Sequence, residues 1–300
     1  MKLIVSLFVA AMLAASPALA DSVTIETARG PAEVPVMPEK PVVLDVAALD
    51  TLDALGVAPA GTVDKIYVDY LDEAKAQAEV VGTLFEPDFE AINALAPDLI
   101  VVGARSAEQV GPLSQFAPTI DMTIWGDKVI DQAKDRLAAY GEIFGRQAEA
   151  EAVAARLDAG LKRAKAAVAG KGTALIVMTN GPKVSAYGKG SRFGWLHDEL
   201  DLPEAVESVA EATHGEAISF EFIRDANPDW LLVIDRSAAI GAEGARAAET
   251  LDNALVAETT AWKKDQVIYL NAADIYVAGG GVQSLMNTFD RIAEGFKPAS

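Results

Sequence analysis

A stretch of 17 residues occurs twice in this chain at a constant offset of 131. Phe89 to Arg105 (FEAINALAPDLIVVGAR) overlays Phe220 to Arg236 (FEFIRDANPDWLLVIDR) without a gap, with Phe, Glu, Ile, Pro, Asp, Val and Arg identical. Each copy reads as a short helix, a Pro-Asp turn that stops it, a buried strand and an arginine just past the strand. Any helix–turn–strand unit needs the apolar positions and the turn, but not a glutamate at one end and an arginine at the other. Between the copies, Lys128 to Val168 contains no proline. Ile130, Ala133, Leu137, Tyr140 and Phe144 recur at steps of three or four, and after Gly145 so do Ala150, Val153, Leu157, Leu161, Ala164 and Val168. That period predicts two helices, the second ending at Gly170-Lys171-Gly172. A repeat on either side of a long helix predicts an N-terminal lobe over 21–145, a connecting helix over 146–170 and a C-terminal lobe over 171–300.

Short apolar runs rich in β-branched residues lie at 42–46, 99–102, 174–178, 230–234 and 267–270. They are continuous rather than alternating, which suits strands covered on both faces. The expected fold is therefore α/β: two Rossmann-like lobes with central sheets and a ligand cleft between them.

Composition narrows the function. Twenty-five Lys and Arg stand against 44 Asp and Glu, a formal net charge of −19. That balance excludes phosphate-neutralising nucleic-acid binding and attachment to anionic lipid by a basic face. With no cysteine and only His197 and His214, thiolate chemistry, disulfides and histidine-rich zinc sites are excluded as well. The first 20 residues have the three-part pattern of a secretory leader: Lys2, an apolar run from Leu3 to Ala15, then Ala18-Leu19-Ala20. Cleavage after Ala20 would deliver the chain to the periplasm, and with no cysteine after the cut there is no lipid anchor to expect.

In open α/β sheets ligands sit beyond the carboxyl ends of the strands. Arg105 and Arg236 fall there, one per lobe. Arg192 lies in the glycine-rich segment 188–194, where the backbone can approach a ligand closely. Three converging guanidinium groups select a planar or multiply oxygenated anion. His214 lies in a polar, glycine-containing stretch and Tyr276 in a loop before three glycines at 279–281; each could be a site residue or ordinary surface and packing. His197, beside Trp195 and Leu196, reads as structural.

The chain resembles the periplasmic binding proteins for iron–siderophore complexes whose two lobes are joined by a long helix. The resemblance runs through 38–45, 49–56, 82–98, Gly188 to Gly194, 218–236, 250–253, 262–270 and 279–281. The Gly-Ser-Arg-Phe-Gly loop, with Arg105, Arg236, His214 and Tyr276, is similar to the subgroup that takes ferric catecholates. The resemblance implies that Arg105, Arg192 and Arg236 hold catecholate oxygens, and that His214 and Tyr276 complete the coordination of Fe(III) left open by a tetradentate siderophore. It implies further that Glu90 and Glu221 dock onto arginines of an ABC importer permease; helix N-terminal electrostatics also favours carboxylates there. The expected protein is a monomeric receptor with no intrinsic cofactor, its ligand a ferric siderophore. Haem or cobalamin is the alternative cargo. A carboxylate-based secreted hydrolase is the alternative class, although the sequence carries no Gly-x-Ser-x-Gly, no His-Glu-x-x-His and no Walker loop.

Overall fold

The computed structural model describes residues 22–297 apart from 208, 210–213 and 245, so the leader expected over 1–20 lies outside the described residues. A hairpin of β1 (Ser22–Thr27) and β2 (Gly30–Pro35) comes first. The N-terminal lobe follows, built on β3 (Pro41–Val43), β4 (Gly61–Thr62), β5 (Glu79–Val80), β6 (Leu99–Val102) and β7 (Thr119–Asp121). These strands are all parallel, in the order β5-β4-β3-β6-β7. The C-terminal lobe uses β8 (Ala174–Asn180), β9 (Lys183–Tyr187), β10 (Glu216–Ile218), β11 (Trp230–Asp235) and β12 (Val267–Tyr269), in the order β10-β9-β8-β11-β12. Between the sheets run the helices Val129–Phe144 and Gln147–Val168.

The second sheet departs from the parallel expectation at β9, which runs antiparallel to both β8 and β10. The reason is local. Only Gly181 and Pro182 separate β8 from β9, and so short a connection can only reverse the chain. Strands β8, β11 and β12 remain parallel, with Leu231, Leu232, Val233 and Ile234 of β11 fully buried.

Both copies of the repeat fold alike. The helices Phe89–Leu95 and Phe220–Ala226 are capped by the side chains of Asp88 and Ser219, and they end on Ala96 and Asn227 in the left-handed conformation. The Pro-Asp turn then does a second job. Asp98 accepts from the backbone N–H of Glu39 (2.6 Å) and of Lys40 (2.9 Å), just ahead of β3. Asp229 accepts from the backbone N–H of Thr173 (2.9 Å), just ahead of β8. Each aspartate thus fixes the register of its central strand against its neighbour. At Gly172, where φ is +97°, a Cβ would sit 2.2 Å from Asp229 Oδ2, so only glycine leaves room for this grip.

The final helix, Val282–Gly295, is a second strut between the lobes. It packs along the Gln147–Val168 helix and touches the N-terminal lobe's first helix, Val46–Ala54. Phe289 stands edge-on to Trp195 (centroids 6.3 Å apart) and over Gly160, where a Cβ would meet its ring at 3.3 Å. Phe296 stacks on Trp230 at 4.1 Å.

Removing the Asp229 carboxylate leaves the strand-leading N–H of Thr173 without its partner. Asp229→Ala should lower unfolding free energy by about 1–3 kcal/mol, read as an earlier urea midpoint; an unmoved midpoint would contradict this role.

Candidate functional site: a cleft lined by arginines

The strand ends place the site. After β6 the chain turns out through Gly103 and Ala104 to Arg105, while β11 ends at Asp235 with Arg236 directly behind it. Arg192 arrives from the glycine-rich turn after β9, which Ser191 braces by donating to the carbonyl of Gly188 at 2.5 Å. Tyr276 closes the short helix Ala272–Tyr276. The chain folds all four onto one spot.

Tyr276 is its centre. Arg105 Nη2 donates to the Tyr276 carbonyl at 2.9 Å, and Arg192 Nη2 donates to the same oxygen at 2.7 Å. Arg236 Nε donates to the phenolic oxygen at 3.1 Å. The guanidinium carbons of Arg192, Arg105 and Arg236 lie 4.4, 5.5 and 5.8 Å from the tyrosine ring centroid. Arg105 reaches across from the N-terminal lobe, so its bond to Tyr276 spans the cleft. Burial alone would push the phenol up; the hydrogen bond from Arg236 and the charges of all three arginines outweigh it and hold the group below its ordinary value. The phenolate is therefore brought closer to neutral pH, as an anionic oxygen donor would require.

Two further wall residues went unread in the sequence. Trp125, 44% exposed, lies in the loop after β7, with the Arg192 guanidinium 5.5 Å from its ring. The strand-end rule that picks out Arg105 would have picked out this loop too. Asp45 caps the Val46–Ala54 helix, accepting from Ala48 N at 2.9 Å, and lines the cavity. Burial raises its carboxyl, against the pull of the backbone N–H of Ala48 and the charge of Arg105.

The structure does not bring His214 into this group. It is exposed, and its carbonyl accepts from Tyr187 Oη at 2.9 Å. Tyr187 in turn packs edge-on to Phe193, centroids 4.7 Å apart, and Phe193 lines the cavity. His214 thus stands one side chain away from the site. His197 is buried with Nδ1 donating to the carbonyl of Leu202 at 2.9 Å, and burial lowers its pKa. Glu90 and Glu221 are exposed, each in the first turn of its helix, and neither lines the cavity.

Comparison with known proteins gives the family. Residues 42–273 match the periplasmic binding protein family. The chain belongs to that family. It is 35% identical over 271 residues to the petrobactin-binding protein YclQ of Bacillus subtilis, covering 88% of this chain and 84% of the relative. It is 34% identical over 282 residues to the ferric-anguibactin-binding protein FatB of Vibrio anguillarum, covering 92% and 88%. The crystal structure of YclQ superposes with a TM-score of 0.86 over 93% of this chain and all of that one. The periplasmic catecholate-siderophore binding protein VctP of Vibrio cholerae superposes at 0.83, with 32% identity over 91% and 99% of the two chains. Family and relatives are binding proteins, and the two-lobed fold is theirs.

For this binding protein the tyrosine should ionise in a way the arginines control. In an ultraviolet titration of tyrosinate, Tyr276→Phe should remove the first ionisation, and Arg236→Met should move it to higher pH. A first ionisation untouched by either change would contradict the geometry.

Proposed function

We propose that this protein captures a ferric siderophore, a catecholate by the character of the site, and hands it to an ABC importer. The observation that carries the reading is the convergence of Arg105, Arg192 and Arg236 on Tyr276. A ferric catecholate is a compact anion with several oxygens around one metal, and each guanidinium offers a planar fork to such oxygens. Arg105 and Arg192 both rest on the Tyr276 carbonyl. The incoming ligand takes over those donors, so they exchange one acceptor for a charged one. Relatives named for petrobactin, ferric anguibactin and catecholate siderophores support the class of cargo. On this reading the protein is a receptor and no enzyme, carries no resident cofactor, and works in the periplasm after removal of the leader.

Tyr276 is the first protein donor to iron. Fe(III) prefers hard anionic oxygen, and a phenolate with a lowered pKa supplies it. His214 is the second on this reading. Beside it, Gly215 has a φ of +73°, and a Cβ there would sit 2.7 Å from both the Ala186 carbonyl and the Tyr187 ring, so only glycine fits. A tetradentate siderophore leaves two iron positions for these residues; a hexadentate one leaves none.

Glu90 and Glu221 sit in the first turns of equivalent helices, one per lobe, both exposed, which suits docking on a basic permease surface. Exposed Phe85 and the Phe89–Phe116 ring pair (centroids 5.9 Å apart) give the N-terminal lobe an apolar contact as well.

Tryptophan quenching by ferric catecholates tests the reading directly: saturable quenching is expected, and silence toward all of them with a response to haem would overturn it. Arg192→Ala should weaken every anionic complex by about 1.5–3 kcal/mol, the range for hydrogen bonds to charged groups. Tyr276→Phe and His214→Ala should weaken tetradentate complexes far more than hexadentate ones; equal losses would rule out coordination by these side chains. Glu90→Ala with Glu221→Ala should leave ligand affinity unchanged yet reduce radio-iron uptake by cells relying on this receptor.

A further inference from the structure

A buried carboxylate ties the N-terminal lobe to the final helix. Asp50 lies midway along the N-terminal lobe's first helix and is 0% exposed. Its Oδ1 accepts from the backbone N–H of Gln283 at 2.7 Å, and its Oδ2 from the N–H of Ser284 at 2.9 Å and from Tyr70 Oη at 2.6 Å. Asp50 therefore caps the N-terminus of the final helix from another lobe, 233 residues away in sequence. The Gln283 side chain returns the contact, donating to the Asp50 carbonyl at 3.0 Å and to Asp53 Oδ2 at 2.9 Å.

The approach is too close for any side chain on the other side. A Cβ on Gly281 would lie 2.5 Å from Asp50 Cγ. Ser284 ties the turn to the helix, its one hydroxyl proton shared between the carbonyls of Ala278 and Gly281, 2.7 and 2.9 Å away. Ala278 is two residues from Tyr276, on which all three arginines converge. A displacement at Asp50 passes through Gly281, Ser284 and Ala278 to the centre of the site.

We propose that Asp50 is a positioning residue of the cleft: its ionisation state sets how tightly the final helix is held to the N-terminal lobe, and so whether Arg105 reaches Tyr276 across the cleft. The carboxylate accepts from three donors; the protonated acid keeps lone pairs for all three and removes a buried charge from the junction. The groups facing it come from every packed element. Tyr70 faces it from the 69–71 turn, Asp53 from its own helix, Gln283 and Ser284 from the final helix, and the Asp274 carboxyl from the 272–276 helix. Burial pushes Asp50 up to about 7; the donors Tyr70, Gln283 and Ser284 pull it down, and Asp274 raises it again. The sign follows from linkage: burial makes the closed junction bind the proton more tightly than a solvated Asp50 would, so protonation favours the closed junction, and ionisation above that value loosens it. If the closed junction binds the proton ten times better than the loosened one, ligand affinity falls on the order of tenfold as pH rises through the transition.

The meaning for siderophore capture rests on the function proposed above, so the deciding measurement contains no siderophore. The chain has no cysteine, so Gln77→Cys with Lys183→Cys, both at exposed positions, takes one spin label on each lobe. The interlobe distance distribution should broaden between pH 6 and pH 8 with a midpoint near 7. Asp50→Asn, which mimics the protonated acid, should be narrow at both. Tyr70→Phe removes a donor to the carboxylate and should move the midpoint to higher pH, which keeps the test open should the Asn variant not fold. A wild-type distribution that ignores pH, an Asn variant that follows the wild-type profile, or an unmoved Tyr70→Phe midpoint would each overturn the proposal. Ferric catecholate affinity measured over the same range should fall about tenfold toward pH 8 in wild type, and stay at the high value in Asp50→Asn. A cleft that binds no siderophore, with the pH-dependent distances intact, would sink the proposed function and leave the junction standing.

Discussion

Three guanidinium groups held against one tyrosine are the constraint around which the cleft is arranged. Each guanidinium carbon lies within 6 Å of the Tyr276 ring centroid. No two of these charges can then be more than about 12 Å apart, where like charges repel by roughly 1.4 kcal/mol at an effective dielectric of 20. The π face, the carbonyl of Tyr276 and the phenolic oxygen offset part of that repulsion, and Asp45 behind Arg105 offsets more. What remains favours an anion. This is why a chain with a net charge of −19 can recruit a negatively charged complex: the potential in a cleft is set by the nearby groups, not by the total.

The scaffold makes that convergence possible by bringing the carboxyl ends of strands from two similar sheets to a common gap. Each repeat delivers its arginine to the end of a buried strand, and each repeat's aspartate fixes the strand that lies beside it. Two struts, the Gln147–Val168 helix and the final helix, restrain the lobes. Motion in such a frame is small, so a shift of one side chain at the Asp50 junction matters at Tyr276.

Much of this was legible in sequence because it is local. A strand followed by an arginine is read within 17 residues, and the offset of 131 exposes the pair. Arg192 was legible because glycines mark a tight backbone turn. The antiparallel β9 depends on a two-residue connection that the run of apolar residues hides. Trp125 was missed because a single aromatic after a strand of three residues carries little pattern. Asp50 was invisible: a carboxylate in the middle of a helix reads as solvated, and its partners lie 233 residues away. His214 is a different case: its neighbourhood in sequence suits a ligand, and in the fold its backbone carbonyl is held by Tyr187.

The central claim is that Arg105, Arg192 and Arg236 exist to be shared between Tyr276 and an anionic iron complex. A crystal structure of the protein with a ferric catecholate tests it most directly. The account predicts Arg105 and Arg192 released from the Tyr276 carbonyl and turned, with Arg236, onto catecholate oxygens, the metal lying beside the Tyr276 phenolate. A complex bound elsewhere, with both arginines still on that carbonyl, would contradict it.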